Sequence, residues 1–245
     1  MFRVIYSFKL FAFFIPLFLI SLLNAQMAGP APQPVDVEKN VPDENIKSLD
    51  LEYVYGGDFI MGTLYDKDEL TEMFMKYPNL EKLNISGQMS ADEEIFALIH
   101  DQFPLLKEVK INGSLRFVNG DGMVYSYQEV NWYPVSSEML GALVQNYSAI
   151  ENIHLSLSTV NDEALEKLSV GAPALKEITL RGAVNVTDKG ILVLVATLPS
   201  LESIDIRPFT LQQPMNGESM VTTQISKEVI QEIRGRGIEV YDETD

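Results

Sequence analysis

Apolar residues occupy the first, fourth and sixth places of the stretch Leu80-Glu-Lys-Leu83-Asn-Ile85. The same pattern, written L-x-x-L-x-L with leucine, isoleucine or valine at the apolar places, ends again at Ile111, Leu155, Leu180 and Ile206, and in weaker copies at Leu51 and Val240. Successive ends are 34, 26, 44, 25, 26 and 34 residues apart. A period near 26 residues with three insertions accounts for these distances, and such a period is typical of solenoid proteins.

Helix-start residues show where the insertions lie within each repeat. Side chains that favour the N-cap precede apolar stretches at Asp66, Ser90, Ser136, Asn161, Thr187 and Ser226, and the first two are followed three places later by a glutamate, as in a capping box. From the first five caps to the end of the next strand the distance is 19, 21, 19, 19 and 19 residues, whereas from strand to cap it varies between 5 and 25. The insertions therefore lie between strand and helix.

Two segments resemble a known repeat. Leu175-Lys-Glu-Ile178-Thr-Leu180-Arg-Gly182, with the later Val186-Thr187-Asp188-Lys-Gly190-Ile-Leu192, resembles the cysteine-containing leucine-rich repeats common in F-box proteins, and Val160-Asn161-Asp162-Glu-Ala-Leu165 is a looser match. Ala183 and Leu198 replace the cysteines of that family. Over residues 43–241 the resemblance implies an α/β leucine-rich repeat solenoid with about seven parallel strands on its concave face and helices on its convex face. The F-box function is not implied, because we expect an export signal and find no F-box-like segment.

The residues between the apolar places of each strand point away from the core, because side chains alternate along a strand. We expect them to form the concave face in two columns. The first column contains Asp50, Asn84, Lys110, His154, Thr179, Asp205 and Glu239; the second contains Glu52, Ser86, Asn112, Ser156, Arg181, Arg207 and Tyr241. His154, Arg181 and Arg207 are candidate binding residues. The alternative is a solvated face that binds nothing.

The insertions contribute a second candidate surface. The central insertion contains Phe117, Tyr125, Tyr127, Trp132 and Tyr133. Its Asn-Gly-Asp-Gly turn predicts a hairpin over 115–127; residues 52–61 predict another, and 207–224 a third loop. All three leave the same end of their strands, so we expect them along one rim. At about 150–250 Å² each, half of the area of five aromatics is roughly 500 Å², against about 800 Å² per partner in a standard interface. These aromatics either bind a partner or pack on the scaffold.

Composition excludes several functions. The chain has 245 residues, no cysteine, two histidines and a formal net charge of −17. The absence of cysteine excludes disulfides, thiol catalysis and cysteine-bearing zinc sites, and the acidity argues against nucleic acid. No Gly-rich phosphate loop, G-x-S-x-G or H-E-x-x-H motif is present. We therefore predict no catalytic residue, no metal and no cofactor.

The first 25 residues read as a signal peptide. Arg3 and Lys9 precede an apolar run from Leu10 to Leu23, and Ala25 offers a small residue for cleavage. Residues 26–42 contain four prolines and predict a solvated linker, which leaves 43–245 as the repeat domain. We expect a secreted, periplasmic or cell-envelope protein without an integral membrane domain after cleavage; a retained anchor is the alternative.

The sequence thus predicts an exported, non-enzymatic leucine-rich repeat module that binds a protein partner through its rim insertions and concave face. The runner-up is a carbohydrate-binding surface or envelope protein whose rim aromatics stack on sugar rings. An enzyme built on loop carboxylates such as Asp58 and Glu218, and a purely structural spacer, are the remaining alternatives.

Overall fold

A computed structural model describes residues 43–56, 59–119, 126–145, 149–213 and 217–242. The predicted signal peptide and linker, residues 1–42, lie outside the described residues. The strands are β1 (Ser48–Asp50), β2 (Val54–Gly56), β3 (Phe59–Met61), β4 (Lys82–Asn84), β5 (Glu108–Lys110), β6 (Ser114–Asn119), β7 (Ser126–Asn131), β8 (Asn152–His154), β9 (Glu177–Thr179), β10 (Ser203–Asp205), β11 (Phe209–Gln213), β12 (Gly217–Val221) and β13 (Glu239–Tyr241). The helices are α1 (Lys67–Phe74), α2 (Glu93–Gln102), α3 (Ser137–Val144), α4 (Asp162–Gly171), α5 (Asp188–Thr197) and α6 (Lys227–Gly235).

Seven of the strands form one parallel sheet in the order β1-β4-β5-β8-β9-β10-β13. This order confirms the predicted leucine-rich repeat solenoid, because each L-x-x-L-x-L stretch supplies one strand and neighbouring copies pair in register. Leu83 of β4, for example, is aligned with Leu49 of β1 and Val109 of β5. The repeat therefore determines both the order and the register of the sheet.

The register of the last strand differs from the prediction. Val240 pairs with Ile204, so Tyr241 rather than Glu239 is aligned with Asp205 in the first column. Val240 thus takes the fourth place of the pattern, and the sixth place falls to Asp242. That residue is buried and forms an ion pair with Arg234 (3.5 Å). Because Asp242 is charged where the other copies have an apolar residue, the sequence pattern placed the sixth position at Val240, two residues too early.

The helices begin mostly where the N-cap residues predicted. Asp66 forms the full capping box of α1, and the side chains of Ser136, Asn161, Thr187 and Ser226 cap α3, α4, α5 and α6. Ser90 was the wrong choice for α2. Asp92 caps that helix, because its carboxylate accepts hydrogen bonds from the backbone N–H groups of Glu94 and Ile95. A carboxylate at the cap also interacts favourably with the positive end of the helix dipole.

A continuous apolar core lies between the sheet and the helices. The fourth place of the repeat is buried in every strand of the sheet, as at Leu49, Leu83 and Val240, and buried helix residues such as Leu168 and Leu194 belong to the same cluster. Consecutive helices from α1 to α6 pack against one another. Stacking of neighbouring repeats thus buries faces that no single repeat could bury alone. Among the described residues, no helix is both long and apolar enough to cross a lipid bilayer.

Three antiparallel hairpins form a row beside the sheet. β2 pairs with β3, β6 with β7 and β11 with β12, so residues 207–224 contain a hairpin where the sequence predicted a loop. β2 lies next to β6, and β7 lies next to β11. The hairpins follow the carboxyl ends of β1, β5 and β10, which confirms that the insertions share one margin. We call this margin the hairpin rim, residues 54–56, 59–61, 114–119, 126–132, 209–213 and 217–221.

Candidate functional site

The concave face contains a third column that the sequence analysis missed. Within the described residues, the helices cover one face of the sheet, and the polar columns of the other face remain partly exposed. The third place of each repeat points to that same face, because it lies two residues before the fifth. Its residues are Ser48, Lys82, Glu108, Asn152, Glu177, Ser203 and Glu239. The alternation of side chains along a strand, which repeats every two residues, could have revealed this column from the sequence.

Glu108 is the centre of a charge network in the middle of the concave face. Its carboxylate lies 2.7 Å from the ammonium of Lys82, 3.4 Å from that of Lys110 and 3.8 Å from Nε2 of His154. Burial alone would raise the pKa of Glu108, but the two lysines outweigh burial and hold the pKa below its usual value. The network therefore keeps a charged carboxylate in place on the exposed side of the sheet.

His154 lies where the sequence placed it, in the first column of the concave face. Its Nδ1 is 3.1 Å from the hydroxyl of Thr179 on the neighbouring strand. Burial, reinforced by the charge of Lys110, lowers the pKa of His154, so the ring is neutral near pH 7. Glu108, His154 and Thr179 lie next to one another as an acid, a histidine and a hydroxyl, the residue types of a catalytic triad. The distance of 3.8 Å from Nε2 of His154 to the carboxylate of Glu108, however, exceeds the length of a hydrogen bond.

Two arginines lie side by side in the second column, and each rests on an aromatic ring. The guanidinium of Arg207 is 5.4 Å from the ring centroid of Tyr241 and forms two hydrogen bonds to Asp205, from Nε (3.0 Å) and Nη2 (2.7 Å). The guanidinium of Arg181 is 4.4 Å from the ring centroid of Phe209. Contacts of this kind hold the planar guanidinium in a fixed orientation.

Phe209 is a site residue that the sequence analysis did not name. It begins β11, and its ring lies against the guanidinium of Arg181 on the neighbouring repeat. Its position two residues after Arg207 was the available signal, since an aromatic at the start of an insertion lies near the carboxyl ends of the strands. Asp205 was placed in the first column, but its pairing with Arg207 was not foreseen.

The five aromatics that the sequence predicted for the rim divide into one that is buried, one that is half-buried and three whose side chains the structure does not describe. Tyr133 was predicted as a binding residue, and that prediction is wrong. Its side chain is fully buried, and its hydroxyl donates a hydrogen bond to the carbonyl of Gln88 (2.9 Å). Burial raises the pKa of this hydroxyl well above its usual value. Tyr133 therefore packs on the scaffold, which was the alternative reading of these aromatics.

Trp132 is half-buried at the base of the central hairpin and remains a candidate. Tyr125 lies outside the described residues, as do the side chains of Phe117 and Tyr127, so their binding roles stay predictions. Asp58 and the side chain of Glu218 also lie outside them. Two methionines on the outer strands of the flanking hairpins are exposed instead: Met61 of β3 by 48% and Met220 of β12 by 58%. The sequence analysis did not name either methionine as a candidate binding residue.

The described part of the chain contains no group of three or more histidine, aspartate or glutamate side chains arranged to hold a metal ion. Within the same residues, the concave face instead combines fixed charges of both signs with hydroxyl and amide groups. This chemistry can form directional hydrogen bonds and ion pairs with another polar surface.

Comparison with known proteins finds no related sequence and a distant structural likeness. No protein-family model matches the sequence, and no curated protein sequence is detectably similar to it. Among solved structures, the chain is similar to the leucine-rich repeat-containing protein LegL7 from Legionella pneumophila, with 15% sequence identity and a TM-score of 0.41. The match covers 67% of this chain and 48% of that protein, so the chain spans about half of the length of LegL7.

Proposed function

We propose that this protein is an exported leucine-rich repeat module that binds a polypeptide partner through the concave face and the hairpin rim. One observation carries the proposal: the described residues cover the parallel sheet on one side only. Parallel sheets are normally covered on both faces, and repeat solenoids use the bare face for binding. Here that face presents charged groups in fixed orientations, such as the pair Asp205 and Arg207.

The chemistry of the two surfaces favours a polypeptide ligand. The concave face alternates positive and negative groups, as in Lys82, Glu108 and Arg207, and so complements a chain of mixed charge rather than a polyanion. The hairpin rim adds the exposed side chains of Met61 and Met220. Methionine adapts its shape to apolar partner residues. Polar specificity beside adaptable apolar contacts is the usual anatomy of a protein interface.

Three finer features belong to the same proposal. The predicted signal peptide supports export, and the Nε2-to-carboxylate distance at His154 supports binding rather than catalysis. Helices of eight to ten residues in successive repeats support the cysteine-containing type of leucine-rich repeat, with its cysteines replaced.

A steric block tests the proposal without knowledge of the partner. The full chain would be applied to an array of 15-residue peptides of varied charge and to a glycan array. Asn152 lies in the central strand of the sheet, so Asn152→Trp places an indole on the concave face. The matched control is Glu166→Trp, because Glu166 is exposed on α4 at the opposite side.

We expect saturable binding of a subset of the peptides, weakened at least about tenfold by Asn152→Trp and unchanged by Glu166→Trp. Trp132→Ala should weaken the same peptides if the hairpin rim contributes. Binding of glycans without peptides, binding of neither, or equal effects of the two tryptophan substitutions would overturn the proposal. Far-UV circular dichroism and thermal unfolding of each variant establish that it is folded.

A further inference from the structure

Arg181 holds a positive charge that no described carboxylate neutralises. Among the described residues its guanidinium makes two contacts: its face lies on the ring of Phe209, and Nη2 is 3.5 Å from the carbonyl oxygen of Pro208. Its Nε–H is buried and has no hydrogen-bond partner in this part of the chain. A guanidinium has five N–H donors, and a buried donor without an acceptor is destabilising. An arginine without a counter-charge among the described residues is unexpected in a chain of net charge −17.

The neighbouring strand shows what is missing. β10 and the residues after it read Asp205-Ile206-Arg207, whereas the same places at β9 read Thr179-Leu180-Arg181. The two arginines occupy the same column and each rests on an aromatic ring. Arg207 forms a two-pronged ion pair with the carboxylate two residues before it. Arg181 has a threonine at that place, so it has no carboxylate two residues before it to pair with.

Thr179 is held by His154 of β8, the neighbouring strand on the side away from Arg207. Its hydroxyl is 3.1 Å from Nδ1 of His154, on the side of Thr179 opposite to β10. Arg181 itself keeps part of its surface exposed on the concave face. The place that Asp205 fills beside Arg207 is therefore occupied at Arg181 by a short, uncharged side chain.

We propose that Arg181 anchors a carboxylate-binding subsite on the concave face. The ligand is an acidic side chain or the C-terminal carboxylate of a polypeptide, whose oxygens accept hydrogen bonds from N–H groups of the guanidinium. Stacking on Phe209 fixes the plane of the guanidinium in advance, so that little side-chain freedom is lost on binding. This subsite deepens the proposed function, on which the polypeptide nature of the ligand rests.

Small carboxylates test the subsite without a known partner. The side-chain Nε–Hε signal of Arg181 would be followed by NMR in the full chain during titration with N-acetylglycine, which mimics a chain end, and with the α-amide of N-acetylaspartate, which mimics an acidic side chain. N-acetylglycinamide and the α-amide of N-acetylasparagine at equal ionic strength are the uncharged controls. We expect a saturable shift with a carboxylate and none with its amide. The carboxylate that saturates at the lower concentration identifies the source.

Two substitutions sharpen the test. Thr179→Asp recreates the Asp–x–Arg arrangement of β10, so its carboxylate should fill the subsite and abolish the shift. Lys189→Gln, at an exposed position of α5, removes a positive charge elsewhere and should leave the shift intact. For acidic peptides that bind on the array, we expect Arg181→Gln to weaken binding about 30-fold.

Absence of a shift with both carboxylates, or an unchanged shift in Thr179→Asp, would overturn the subsite. Its failure and that of the proposed function are distinguishable. Peptide binding that is blocked by Asn152→Trp but occurs without any carboxylate shift refutes the subsite alone. A carboxylate shift in a chain that binds no peptide refutes the proposed function and leaves the subsite standing.

Discussion

We expect Gln88→Met to lower the free energy of unfolding by about 4 kcal/mol, the sum of three hydrogen bonds lost from one buried side chain. The Nε2 of Gln88 donates to the carbonyl oxygens of Leu51 (2.6 Å) and Thr63 (2.7 Å), and its Oε1 accepts from the backbone N–H of Tyr65 (3.0 Å). These bonds join the second repeat to both ends of the first insertion. Methionine has a similar length and leaves no large cavity, so the polar loss is isolated.

The magnitude follows from the surroundings of each partner. Leu51 is buried, so its carbonyl would lose its partner without gaining water, at a cost of about 1–3 kcal/mol. Thr63 and Tyr65 are exposed or half-buried and can be rehydrated, at about 0.5–1.5 kcal/mol each. For a chain of this size the total lowers the melting temperature by about 10 °C.

Urea denaturation of the full chain measures the effect, and Gln231→Met, at an exposed position of α6, is the matched control. The control should stay within about 0.5 kcal/mol of the natural sequence. If the free energy of unfolding of Gln88→Met is also within about 1 kcal/mol of that of the natural sequence, the three hydrogen bonds of Gln88 do not hold the first insertion against the repeats.

Two further predictions concern backbone space and pH. Gly87→Ala should lower the free energy of unfolding by more than about 3 kcal/mol, because Gly87 has a φ of +76° and an added Cβ would lie 1.9 Å from the carbonyl oxygen of Tyr53. Gly235→Ala, where an added Cβ meets nothing within 4 Å, should raise it by about 0.5–1 kcal/mol. Thermal unfolding of the two variants distinguishes these effects. Burial lowers the pKa of His154 in the folded state, so the unfolded chain binds the proton more tightly and stability falls as the pH drops from about 7 towards 5. His154→Gln should remove this part of the pH dependence, and equal slopes for both proteins would contradict the assignment.

The repeat could be predicted because its signals are local and occur many times. The apolar places that end at Ile85, Ile111 and Leu155 are each ambiguous alone, but their shared spacing fixes strand order and register. The N-caps were predictable for the same reason, since a side chain such as Asn161 bonds a backbone N–H three residues away. The final copy failed where the signal weakens: Val240 fits two places of the pattern, and only the structure selects one.

The details of the site depend on contacts between segments distant in sequence. The sequence listed Tyr133 and Trp132 as equivalent, but whether an insertion residue packs or remains exposed depends on which scaffold groups it meets, such as the carbonyl of Gln88. The ring of Phe209, at the start of the third hairpin, meets Arg181 of the neighbouring repeat. Arg181 and Arg207 were both found from the strand period. That Asp205 pairs with Arg207, while no described carboxylate pairs with Arg181, appears only in three dimensions.

The most direct test of the strand order is disulfide formation between pairs of introduced cysteines. The natural sequence contains no cysteine, so that no other thiol can react. Lys110 and His154 are register partners on adjacent strands although the central insertion separates them in sequence. Adjacent strands lie about 4.8 Å apart, within the usual Cα separation of a disulfide, whereas Thr179 is two strands from Lys110 at about 9.6 Å.

After oxidation, mass spectrometry of the double variant Lys110→Cys with His154→Cys should show an intramolecular disulfide. The double variant Lys110→Cys with Thr179→Cys should retain two free thiols. Equal cross-linking of the two variants, or cross-linking of the second alone, would contradict the order and register of the repeat sheet.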